Sequence, residues 1–134
     1  MAEFDPVNKP SHYIKSSVLV QPIELTGRVN SCLGQALNYV FRAPYKDNEI
    51  EDLEKAIFYL NKYKDVVCSY KDDWEYTLSK TELTLGKIFA KYTKDYLTKS
   101  VLGALFECRA LNEKRINKAI AFIEQRLNTL KDTK

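Results

Sequence analysis

Apolar residues recur every three or four positions through most of the chain beyond residue 28, the period of helices that bury one face. Val29, Leu33, Ala36, Leu37, Val40 and Phe41 form one such face, and Ile50, Leu53, Ala56, Ile57 and Leu60 form a second. The polar segment 43–48 between them is too short for anything but a reversal. Pro44 disfavours helical backbone at Ala43, so the first helix should stop near Arg42. Asn48 can cap the second helix with Glu51 behind it, and Glu49, Glu51 and Asp52 stand where the helix dipole favours anions. The sequence thus predicts an antiparallel pair, Val29–Arg42 and Glu49–Tyr63, the second helix running on to about Val67.

The later pattern is helical too. Ser79 and Glu82 make a capping box ahead of an apolar face of Leu85, Ile88, Phe89, Tyr92 and Tyr96, with Lys80, Lys87, Lys91 and Lys94 on another side. Leu97, Val101, Leu102, Leu105 and Phe106 continue the period, with or without a kink near Thr93 to Tyr96. Asn112 caps a last helix whose Ile116, Ala119, Ile120, Ile123, Leu127 and Leu130 fall on one narrow stripe, suited to a single partner helix from this chain or from another copy. Ahead of the pair, Pro6 and Pro10 give an extended start, Val18–Val20 is a short strand candidate without a second strand to pair with, and Pro22 opens a short helix through Leu25 that ends at Gly27. Trp74 reads as a packing anchor. The expected fold is one all-α domain on the central helix pair, with an extended N-terminal segment and long C-terminal helices.

Composition changes this picture little. The chain has 134 residues, 45% hydrophobic and 29% charged, with only four glycines and four prolines, as in an ordinary globular domain. No apolar run reaches the length of a membrane span, and the N-terminus lacks a basic signal-peptide start. Three widely spaced cysteines and one histidine give no zinc pattern, and reduced thiols fit a cytosol. The net charge of +3 is uneven: residues 1–67 hold eight basic and nine acidic side chains, residues 68–134 thirteen and nine. That is too mild for a duplex-binding protein yet favourable to a small anion.

Polar residues of the pair are ordered as well. Gln35, Asn38 and Arg42 share one stripe of the first helix, and Asp52, Lys55 and Tyr59 repeat the spacing on the second. Two readings are open for Arg42: an ion pair with Asp52 or Glu51 that pins the hairpin, or a guanidinium fork facing a ligand.

Several of these segments carry a resemblance. The runs from Asp5 to Tyr13 and Gln21 to Glu24, then Cys32 to Arg42, Lys46, and Glu51 to Leu60 resemble a bacteriophage family of small domains of unknown function. That family includes SaV-like phage proteins and a podovirus deoxynucleoside monophosphate kinase that lacks a glycine-rich phosphate loop. The resemblance spans about residues 5–63. It implies a nucleotide-type ligand held by His12, Tyr13, Gln35, Asn38, Tyr39, Arg42, Lys46, Asp52 and Lys55, in a protein working in the cytoplasm of an infected bacterium. Arg42, Lys46 and Lys55 would take phosphate, Gln35 and Asn38 a base or ribose edge, and Tyr13, Tyr39 and Tyr45 a base face. The chain also departs from the family pattern. Lys9 stands where a first histidine is usual, Gln35 replaces an asparagine, Asn38 a lysine, and Ser16–Ser17 a glycine pair. These losses put phosphoryl transfer in doubt more than binding, because that chemistry rests on positioned charge.

Three functions follow as expectations. One is binding or sequestration of a phosphorylated nucleotide, altering host nucleotide pools or nucleotide-based antiviral signalling. The second is a deoxynucleoside monophosphate kinase, which would need Mg2+ held by carboxylates such as Glu51 and Asp52. The third is a helical interaction protein that binds a polypeptide. Homo-oligomerisation through the last helix is expected, and neither duplex nucleic acid nor membrane is.

Overall fold

The computed structural model describes residues 22–45, 47–68 and 76–132. The N-terminal segment with its strand candidate, and Trp74, lie outside them. The chain is all-α: α1 Pro22–Thr26, α2 Ser31–Arg42, a 3-10 turn Ala43–Tyr45, α3 Glu49–Cys68, α4 Lys80–Tyr92, α5 Tyr96–Leu105 and α6 Glu113–Asp132. The chain is therefore helical in the segments whose period predicts it.

α2 and α3 are the most extensively packed pair, and α6 lies against both α3 and α5. The predicted faces of the pair are mostly buried, with Leu33, Leu37, Leu53, Ala56 and Leu60 at 0% exposure or close to it, while Ile50 and Ile57 are partly buried. α2 begins under Asn30, whose side-chain oxygen accepts from the Cys32 amide at 2.8 Å, and it ends at Arg42. The chain then turns through Ala43–Tyr45 as a 3-10 helix before α3 begins. Gly34 allows α1 to close on α2, since a Cβ there would stand 2.6 Å from the Thr26 carbonyl oxygen.

Two expectations are corrected in the second half. The period from Leu85 through Tyr96 is not one helix face. The helix stops at Tyr92, Thr93 caps it in extended backbone, and Asp95 starts a new helix by accepting from the Thr98 amide and hydroxyl, each at 2.9 Å. That break puts Tyr92 and Tyr96 outside, at 45% and 80% exposure, while Gly86 and Phe89 face the core. A single side chain capable of capping outweighed the continuing apolar pattern.

The second correction is a two-residue antiparallel ladder, β1 Tyr76–Thr77 with β2 Ala110–Leu111. Next to it the Leu78 amide donates to the Arg109 carbonyl and Arg109 Nε donates to the Leu78 carbonyl, both at 2.7 Å. These bonds tie the entry of α4 to the exit of α5. Ser79 and Glu82 form the expected capping box at the start of α4, and Asn112 accepts from the Arg115 amide at the start of α6.

The stripe on α6 is buried within this chain: Ile116, Ala119, Ile120, Ile123 and Leu127 all join the common core. The sequence ground for expecting a second copy against that stripe is thereby removed. Polar contacts flank it, with Arg126 donating to both Glu49 oxygens at 2.9 and 3.2 Å and Lys131 to Glu54 at 3.2 Å.

Candidate functional site

α2 and α3 run side by side, and their partly exposed edge gathers a group of aromatic and cationic side chains. Tyr39 of α2 stacks on Tyr59 of α3, with ring centroids 5.9 Å apart and planes within 10°. The Arg42 guanidinium lies 5.7 Å from the Tyr39 centroid, and the Lys55 ammonium lies 5.5 Å from it. Helical spacing produces this arrangement. Arg42 is one turn beyond Tyr39, Lys55 is one turn before Tyr59, and the antiparallel pairing brings the two turns together.

Such cation–ring contacts are worth about 0.5–1 kcal/mol where water reaches them, so they orient the cations without neutralising them. Phe58, at 59% exposure, extends the aromatic surface by meeting Tyr59 edge-on at 5.2 Å. Sequence reasoning left Phe58 out of the site. Its signal was a large aromatic adjoining the Lys55–Tyr59 stripe on a helix whose apolar face was already filled.

The two readings for Arg42 separate here. No ion pair among the described residues joins Arg42 to Glu51 or Asp52. Its Nε is buried and meets no hydrogen-bond acceptor among the described residues. A buried donor left so costs roughly 1–3 kcal/mol. Lys55 is partly engaged, 3.4 Å from Glu51 in an exposed pair of the kind that contributes little.

The remaining predicted residues divide. Asn38 is half-buried and Gln35 exposed on the α2 stripe. Asp52 is 4% exposed, so it is buried and is not part of the open stripe with Lys55. Tyr45 closes the 3-10 turn beside the Asp95 carboxylate, and burial together with that charge raises its hydroxyl pKa. His12, Tyr13 and Lys46 lie outside the described residues.

Three grooves among the described residues lie on other faces. One of about 450 Å3 runs between α3 and α6, one of about 360 Å3 between α5 and α6, and one of about 340 Å3 between α4 and α5. Among the described residues, no group of three or more His, Cys, Asp or Glu is placed to hold a metal ion, and no helix is long and apolar enough to cross a membrane.

By fold and surface, this is an all-α protein whose central helix pair carries a cation-flanked tyrosine stack. Residues 7–61 match the profile of a family described as a protein of unknown function, DUF3310. The match covers under half of the chain and ends inside α3, so it takes in the whole Tyr39–Tyr59 cluster. No curated protein and no solved structure matches the chain.

Proposed function

We propose that the protein binds a phosphorylated nucleotide at the Tyr39–Tyr59 surface and acts by holding it. One observation carries this reading: two cations from different helices converge on one tyrosine ring that is backed by a second. Aromatic faces stack any base, and guanidinium and ammonium groups meet phosphate through charge-assisted hydrogen bonds. The setting in this proposal is a bacteriophage protein in the cytoplasm of an infected bacterium, lowering a nucleotide pool or a nucleotide signal of antiviral defence. That setting rests on the sequence resemblance.

The test is to incubate purified protein with a panel of nucleotides and the matching nucleosides, recording the thermal midpoint and identifying by mass spectrometry what stays bound. A ligand held only by the folded state raises the midpoint by mass action. Phosphorylated members should raise it and be recovered unchanged. Equal stabilisation by nucleosides would remove Arg42 and Lys55 from phosphate duty. Conversion of a deoxynucleoside monophosphate to its diphosphate in parallel samples supplied with ATP and Mg2+ would establish the kinase activity instead.

A further inference from the structure

Two of the three rings in the α2–α3 cluster are already engaged. Tyr39 and Tyr59 are partly buried against the core and stacked on each other, and Tyr39 also has the Arg42 and Lys55 cations at 5.7 and 5.5 Å from its centroid. Phe58 differs. It is 59% exposed, whereas Phe41, Phe89 and Phe106 are buried. Its ring meets Tyr59 edge-on at 5.2 Å, so it joins the cluster while leaving most of its own surface to solvent.

The neighbours of Phe58 along α3 are ordered too. Lys55 stands three residues before it and Lys62 four residues after it, so two exposed lysines share its side of the helix, one turn away in each direction. The carboxylates on the N-terminal side are paired: Glu51 lies 3.4 Å from the Lys55 ammonium, and Glu54 accepts from Lys131 at 3.2 Å. The Lys55–Glu51 pair is exposed and contributes little, so a phosphate can compete for that ammonium. An exposed apolar ring beside ammonium groups suits a flat, uncharged ring system joined to an anion.

We infer that, within the nucleotide reading of this surface, the base stacks on Phe58 while the phosphate lies against Lys55 and Arg42 at the Tyr39 end. The two tyrosines then hold the cations and back Phe58, and they do not take the base themselves. Phenylalanine offers a face and no hydrogen-bonding group, so this ring accepts purines and pyrimidines alike. The ligand class is a phosphate that carries a base, selected by ring and charge.

The experiment titrates the full chain calorimetrically with AMP, with CMP and with ribose 5-phosphate, which lacks the base. Phe58→Ala should weaken both nucleotides about fivefold or more, the loss of one base–aromatic stack, and leave ribose 5-phosphate unchanged. Phe58→Trp keeps a stacking face and should hold both nucleotides at least as tightly as the parent. The ligand-free melting temperature should change little in either variant, because the ring is mostly outside the core. Unchanged nucleotide affinity in Phe58→Ala overturns the inference and leaves the nucleotide reading standing, as does a loss confined to Tyr39→Ala. Parallel weakening of ribose 5-phosphate also overturns it, since the ring would then be supporting the cations. A preference for one base of more than about tenfold removes the tolerance assigned to Phe58. Failure of the parent to bind either nucleotide sinks the reading and the inference together. Self-association that Phe58→Ala abolishes, with nucleotide affinity intact, would make the ring a contact between copies and reject the base site.

Discussion

Arg42 shows how much one residue's surroundings matter to its role. Its guanidinium leans on Tyr39, and no ion pair among the described residues ties it to the start of α3. Arg42→Lys should therefore weaken nucleotide binding by about 1–3 kcal/mol, the scale of a charge-assisted hydrogen bond, with little change in melting. Isothermal titration and a thermal melt on the same variant check this. A lower melting temperature with normal affinity would assign Arg42 to the fold. Tyr45 offers a pH test. Burial and the Asp95 carboxylate both disfavour its phenolate, so the folded pKa lies above the unfolded one. The unfolded chain then loses this proton first. The associated stability is intact below the ordinary tyrosine pKa of about 10 and is lost as pH rises through the folded value. Tyr45→Phe should accordingly lose less stability than the parent protein across that alkaline window, as followed by urea unfolding at stepped pH.

Between elements, close approach and capping outweigh periodicity. The α4–α5 crossing depends on Gly86, and Gly86→Ala should cost about 1–3 kcal/mol because the buried Phe106 ring must move. Gly103→Ala should do the reverse and stabilise by roughly 0.5–1 kcal/mol, since α5 gains helix propensity and the methyl meets open space. Chemical denaturation of the two variants side by side checks the sign of each. Their opposite outcomes could not be read from the sequence, where both are glycines inside helical patterns. The break before α5 is half legible: the sequence allows a kink near Thr93 to Tyr96, but the period alone keeps Tyr92 and Tyr96 on the buried face. The β1–β2 ladder was not legible, because its partners stand far apart in the chain and each strand is only two residues long.

Taken as a whole, the molecule uses α6 to close its own core, which bears on assembly. With Ile116, Ile123 and Leu127 buried against α3 and α5, a homo-oligomer would have to form through some other surface. Ile123→Ala should therefore lower stability by about 2–5 kcal/mol in chemical denaturation while leaving the association state seen by sedimentation unchanged. A larger species that the same substitution dissociates would restore the stripe as an interface.

The sequence by itself determined the all-α class, the central helix pair with its boundary at Arg42, the faces that α2, α3 and α6 bury, and the short helix ended by Gly27. These follow from local physics: period, caps and proline geometry act over a few residues and need no knowledge of the rest of the chain. It also placed Gln35, Asn38, Arg42 and Lys55 on helix stripes, since spacing alone fixes which residues share a side. Only the tertiary structure decided that Asp52 points inward, that Tyr59 backs Tyr39 between two cations, and that α6 finds its partner inside the chain. It alone distinguished the glycine that packing requires from the one it does not. Those outcomes depend on which helices meet and at what rotation, a property of the assembled core that no single segment encodes.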